Sequence, residues 1–189
     1  MALKPLMPLK IALTGSIACG KSLFAKFLRE LGVQTLDADD IVHELIPAEE
    51  RRRLAPIVFS DPVARKALEA RIHPVVRSRF AEWFALVSDS NGLESAPLKV
   101  AIIPLLFECK WDKDYDIILC ISSPVAEQVR RMVEIRGMTR IEAEARLSAQ
   151  LPQEEKLARS HYVVVNDSTP EHLREEAVRC VEWLRARQH

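Results

Sequence analysis

ALTGSIACGKSLF, residues 12–24, passes from apolar residues through a run of small ones to Gly-Lys-Ser and back to apolar residues. The chain has only five glycines, yet Gly15 and Gly20 bracket four residues, and a lysine and a serine follow directly. The spacing Gly15-x-x-x-x-Gly20-Lys21-Ser22 is that of a phosphate-binding loop. Such a loop works because successive backbone N–H groups curl around an anion at a helix N-terminus. Glycine permits the backbone angles and the close approach. The pattern predicts nucleotide phosphates against Gly15, Ser16, Ile17, Ala18, Cys19, Gly20, Lys21, Ser22 and Leu23. Lys21 supplies positive charge to the outer phosphates, and Ser22 offers its hydroxyl to Mg²⁺.

The flanks agree with that pattern. Leu9 to Thr14 is a short apolar run of the kind a buried strand carries. After Lys21 the period changes: Phe24, Phe27, Leu28 and Leu31 form one helical stripe, and Gly32 stands where helices end. A second strand is expected over Val33–Leu36, running into Asp37-Ala38-Asp39. Strand, glycine loop, helix and strand in that order imply a parallel sheet.

Further along, Asp61-Pro62 starts a helical region whose apolar positions continue to about Val87. SDSNGLESAP, residues 88–97, reads as a polar loop, and strands are expected over Val100–Ile103 and Ile117–Ile121. Ser123-Pro124 opens a helix that should stop near Gly137, and Thr139 to Glu142 forms a capping box for another helix through Gln150. Tyr162–Val165 is the last strand. Thr169-Pro170 caps a terminal helix with the stripe Leu173, Ala177, Cys180, Val181 and Leu184. The expected architecture is α/β: a three-layer phosphate-loop fold with a central parallel sheet of about five strands and helical acceptor and lid regions. We expect a single domain over 9–187. Its core takes 9–46, 97–123 and 160–187, the acceptor region 47–96, and the lid 124–159.

The totals exclude several classes. Twenty-seven basic residues offset 27 acidic ones, which removes the strongest reason to expect nucleic-acid binding. Four scattered cysteines without a C-x-x-C pair favour reduced thiols over a disulfide frame or a zinc site. No apolar run approaches the roughly 18 residues needed to span a bilayer, and the start, broken by Pro5 and Pro8, lacks the apolar core of a signal peptide. A cytoplasmic protein with no membrane partner is expected; oligomeric state is not legible. A regulatory GTPase would need an N-K-x-D signature, which is absent. Asp89-Ser90-Asn91-Gly92 matches D-x-x-G only as a turn in a polar loop.

The residues that remain point to a small-molecule kinase. LTGSIACGKS (13–22), LDADDI (36–41), IHP (72–74), PLLFE (104–108), RLSAQLPQEEK (146–156) and VVVND (163–167) resemble the dephospho-CoA kinases, in the same order from Ile11 to the C-terminus. The resemblance implies transfer of the ATP γ-phosphoryl group to the ribose 3′-hydroxyl of dephospho-CoA, with Mg²⁺. It makes Asp39 the acceptor-side base and puts Asp37 on the Mg²⁺ side; as residues alone, both could simply cap the next helix. It makes Arg146 a lid arginine closing over the transferring phosphate, a task a bidentate guanidinium suits. Asn166 would lie at the adenine end, or serve as a turn residue beside Asp167. His73, Arg77 and Leu106 would line the acceptor site, with Arg71 and Arg79 nearby. Glu108 would support the magnesium site or start a loop, and Arg131 is a weaker candidate near the nucleotide.

Three departures stand against the resemblance. Between Ile46 and Pro56 the chain has only PAEERRRLA, where relatives carry a longer acceptor-binding segment. Ile135 stands where they have a second arginine, with Arg136 shifted by one, and Ser160-His161 replaces Ala-Asp. Two alternatives therefore stay open: a kinase for another small hydroxyl substrate such as a nucleoside, and a nucleotide-binding module without kinase activity. Cys19 reads as a small filler, or as a reactive thiol at a helix N-terminus.

Overall fold

The computed structural model describes residues 9–86 and 97–188. Its strands are β1 (Ile11–Gly15), β2 (Gln34–Asp37), β3 (Lys99–Ile102), β4 (Ile117–Ser122) and β5 (Tyr162–Val165). Its helices are α1 (Lys21–Glu30), α2 (Ala38–Leu45), α3 (Ala48–Ser60), α4 (Pro62–Ala85), α5 (Val125–Glu134), α6 (Arg140–Ser148), α7 (Gln153–Ala158) and α8 (Pro170–Arg185). The described chain divides into two compact units, Leu36–Val87 and a larger one that takes the rest.

The five strands form one sheet in the order β2-β3-β1-β4-β5. β1 pairs in parallel with β3 and β4, and β4 with β5, so the chain must cross back over the sheet between strands. A parallel sheet is covered on both faces, which is why β1, β3 and β4 read as unbroken apolar runs. Ile11, Leu13, Val100, Ile102, Leu119 and Ile121 pack on one face with Phe24 and Leu28 of α1 and Leu173 and Leu184 of α8. On the alternate positions Ala12, Ala101, Ile118 and Cys120 are buried too. All the expected stripe residues of α8 are buried, and each large aliphatic among them contributes roughly 1.5–3 kcal/mol.

The turns follow the predicted chemistry. Gly32, at φ +82°, is the left-handed residue that closes α1; its N–H donates to Arg29 O (3.0 Å) and the Val33 N–H to Leu28 O (3.0 Å). Thr139 and Glu142 form the reciprocal capping box of α6. Thr169 caps α8 by accepting from the His172 N–H (3.3 Å).

In the smaller unit, Asp61 caps α4, its Oδ1 accepting from the Val63 (2.8 Å) and Ala64 (3.2 Å) N–H groups. Ile41, Ile46, Val76, Phe80 and Phe84 are its buried residues, and Arg79 meets Glu44 at 2.6 Å on the surface. The sequence reading misses two boundaries. α3 is a separate helix, obscured by the Arg51-Arg52-Arg53 run and the internal Pro56. α7 has only six residues, too few to show a period. The D-x-x-G match and most of the polar loop at 88–97 lie outside the described residues. Among the described residues no helix is long and apolar enough to cross a membrane.

Candidate functional site

The loop after β1 has the backbone that the glycine spacing demands. Gly15 (φ +145°), Ala18 (φ +57°) and Gly20 (φ +103°) all lie at positive φ. At Gly15 a Cβ would run into the Ile121 carbonyl, and at Gly20 into the Asn166 amide, so neither position tolerates a side chain. The first bond of α1 runs from the Phe24 N–H to Gly20 O (3.0 Å). The N–H groups of Lys21, Ser22 and Leu23 therefore have no partner within the helix and face an anion site. The Lys21 ammonium folds back onto Gly15 O and Ser16 O, both at 2.8 Å. Cys19 is buried beside it, with Sγ 3.7 Å from Nζ, and its burial is what fits the filler reading.

The carboxyl ends of β4 and β5 support the loop from behind. Asn166 is buried, and its Nδ2 donates to Cys19 O (2.9 Å) while its own carbonyl accepts from Ser123 Oγ (2.7 Å). Arg131 of α5 donates from Nη1 to Ala18 O and Ser123 Oγ, both at 3.2 Å. Asn166 and Arg131 thus touch the loop's backbone directly. Gln128 and Gln153, which the sequence reading passed over, brace the same corner. Gln128 Nε2 donates to Ser123 O (2.6 Å) and Gln153 Oε1 (3.0 Å), and Gln153 Oε1 also accepts from the Ser123 N–H (3.2 Å).

The turn between α6 and α7 is tied down at two consecutive residues. Gln150 Oε1 accepts from the Ile17 N–H (2.8 Å), so that loop donor is engaged by protein. The Leu151 N–H donates to Glu108 Oε1 (3.0 Å). That carboxylate in turn lies 2.7 Å from the Lys156 ammonium, whose side chain is 0% exposed. Glu108 Oε2 is buried and accepts no hydrogen bond among the described residues. Burial raises the Cys120 thiol to about 11; Cys19 adds to the rise, and a hydrogen bond from Ser160 with the Lys156 and Lys21 charges opposes it.

The remaining candidates divide by unit. Arg146 is exposed on the last turn of α6. Ile135 and Arg136 are exposed where α5 ends. Leu106 is 0% exposed, so in this conformation its side chain has no surface to offer a ligand. In the smaller unit Asp37 is the N-cap of α2, its Oδ1 accepting from the Asp39 N–H (2.9 Å), and Asp39 is exposed in the first turn. His73 is half-buried and Arg77 exposed, both on α4. The Ser160-His161 departure has a structural account: His161 Nδ1 accepts from the Ile118 N–H (3.0 Å), a bond that a carboxylate there could also accept.

No group of three or more His, Cys, Asp or Glu residues gathers among the described residues. Mg²⁺ in such kinases needs little protein ligation, because nucleotide phosphates and water complete its shell. The exposed Ser22 hydroxyl at the start of α1 fits that demand.

The chain matches the model of the dephospho-CoA kinase family at residues 9–50 and 48–172. It is 38% identical over 191 residues to dephospho-CoA kinase from Thermus thermophilus, covering 92% of this chain and 90% of that one. A crystal structure of a Thermus thermophilus protein superposes with a TM-score of 0.75 at 38% identity, covering 92% and 96% of the two chains. Dephospho-CoA kinase from Campylobacter jejuni gives a TM-score of 0.67 at 25% identity, covering 93% and 96%.

Proposed function

The chain belongs to the dephospho-CoA kinase family, and from that membership we propose that it phosphorylates the ribose 3′-hydroxyl of dephospho-CoA with ATP. The products are CoA and ADP, and the reaction is the final step of coenzyme A biosynthesis. The observation that carries the phosphoryl-transfer half is the loop, whose Gly15, Ala18 and Gly20 take positive φ directly before the unpartnered N–H groups at the head of α1. The acceptor's identity rests on the family.

The new bond joins the 3′-oxygen to the γ-phosphorus as the bond from that phosphorus to the ADP oxygen breaks. Asp39 holds the hydroxyl in line and receives its proton. A loose transition state asks mainly for positioning, so prior deprotonation is not required. Lys21 leaves the carbonyls of Gly15 and Ser16 for the phosphate oxygens, and the exposed Arg146 closes over the spread charge. His73 and Arg77 belong to the acceptor side. Ser22 and Asp37 are the residues that would hold Mg²⁺, which neutralises developing phosphate charge when bound. Reduced cysteines and use of ATP support a cytoplasmic setting.

The test is ADP release from Mg-ATP with and without dephospho-CoA, for wild type and Asp39→Ala. Turnover should require dephospho-CoA and fall about 10²–10⁴-fold in the variant. Nucleoside-dependent turnover, or none with dephospho-CoA, would overturn the assignment.

A further inference from the structure

Of the loop's backbone donors, Ile17's N–H bonds to a side chain 133 residues further along the chain, Gln150 Oε1, at 2.8 Å. A backbone N–H can only donate, so the amide oxygen of Gln150 must be the end that faces it. The anchor behind this contact is stiff. The next residue's N–H is held by Glu108, and Glu108 is held by the fully buried Lys156. The turn after α6 is therefore set in place by the segment that follows β3, and through Gln150 it sets the outer rim of the phosphate loop. That rim includes Ala18, a non-glycine residue in the left-handed region, where an L side chain costs energy and something must hold it. Arg131 grips the carbonyl of Ala18 from one side, and Gln150 grips the amide just before it from the other.

We infer that Gln150 is a positioning residue for nucleotide binding: it locks the Ile17 peptide so that the loop is already shaped before ATP arrives. It acts through Ile17, not on the phosphates. Losing one neutral hydrogen bond should lower the share of correctly shaped loop, and so weaken ATP binding, by roughly 2- to 12-fold. The inference rests on the proposed function only in taking ATP as the nucleotide.

The experiment compares the wild type with Gln150→Met, which keeps the volume and removes the acceptor, and Gln150→Glu, which restores it. Mg-ATP affinity is measured by titration calorimetry, hydrogen exchange of the Ile17 amide by NMR, and the melting temperature alongside. We expect Gln150→Met to weaken ATP binding within that range and speed Ile17 exchange while the melting temperature falls by no more than about 1–6 °C. Gln150→Glu should return Ile17 exchange to the wild-type rate. Wild-type affinity and exchange in Gln150→Met would overturn the inference. So would weaker ATP binding with Ile17 still protected, because Gln150 would then touch the nucleotide itself. Absence of dephospho-CoA-dependent turnover in the wild type would strike only the proposed activity, since affinity and exchange still decide the role of Gln150.

Discussion

Replacing Glu108 by leucine should be among the most damaging single changes in the larger unit, and the structure predicts an asymmetry with its partner. Lys156 is 0% exposed and Glu108 is 21% exposed, with 2.7 Å between their charged atoms. Glu108→Leu strands a fully buried ammonium that has no other partner among the described residues, and it orphans the Leu151 N–H as well. Breaking a buried pair from one side costs about 3–5 kcal/mol, and this change belongs at about 4–5 kcal/mol. Lys156→Met leaves a carboxylate that keeps its backbone donor on a side chain still 21% exposed, although its Oε2 is buried, so about 2–3 kcal/mol is expected. In the double variant only the Leu151 N–H remains unpaired, a penalty of about 1–3 kcal/mol. The double should therefore be more stable than Glu108→Leu alone, with a coupling of at least about 3 kcal/mol. For a chain of this size about 2–4 °C accompanies each kcal/mol, which puts Glu108→Leu about 8–20 °C below wild type. Urea unfolding and calorimetry of the four proteins measure this. Equal penalties for the two single variants, or a double equal to their sum, would refute the reasoning.

Gly20→Ala meets both a positive φ and the Asn166 amide. It should lose about 2–4 kcal/mol of stability and bind ATP at least tenfold more weakly; wild-type affinity by calorimetry would contradict that geometry. Hydrogen bonds from the Thr139 backbone and hydroxyl hold the Glu142 carboxyl below the usual carboxylate range. A depressed acid stabilises fully above its unfolded-state value and loses that contribution as pH falls through its folded value. Glu142→Gln should accordingly flatten the acid limb of the stability–pH curve and change nothing near its lower end, as read from melting temperatures between pH 2 and 7. Burial drives the Cys120 thiol to about 11 and the Cys180 thiol to about 12. Neither should be alkylated by iodoacetamide at pH 8 until the chain unfolds, and mass spectrometry of the labelled native protein checks it.

How much was legible can be argued residue by residue. Gly15, Gly20 and Lys21 were readable because a phosphate loop is a local object: its backbone angles, its glycines and the head of its helix fall within one short stretch. The caps at Asp61, Thr139 and Thr169, the left-handed Gly32 and the α8 stripe were readable for the same reason. Lys156 was not. Nothing local in PQEEK marks its lysine for burial, and only the arrival of Glu108 from 48 residues upstream explains its complete burial. Nor was Arg131's contact with the loop readable: only the fold brings its guanidinium to the Ala18 carbonyl. His161 looked like a departure from the family and proves to supply an acceptor to β4.

By itself, then, the sequence determined the units that close within a few residues: the phosphate loop, the helix ends, the buried strands and the parallel sheet they require. Only the tertiary structure decided which distant groups meet that loop. The order β2-β3-β1-β4-β5 brings the carboxyl ends of β1, β3, β4 and β5 to one edge. It thereby sets Ile17 against Gln150, Cys19 against Asn166 and Ala18 against Arg131. Pairings at such separations depend on strand order and crossover, and local hydrogen bonding and hydrophobic period carry no information about either.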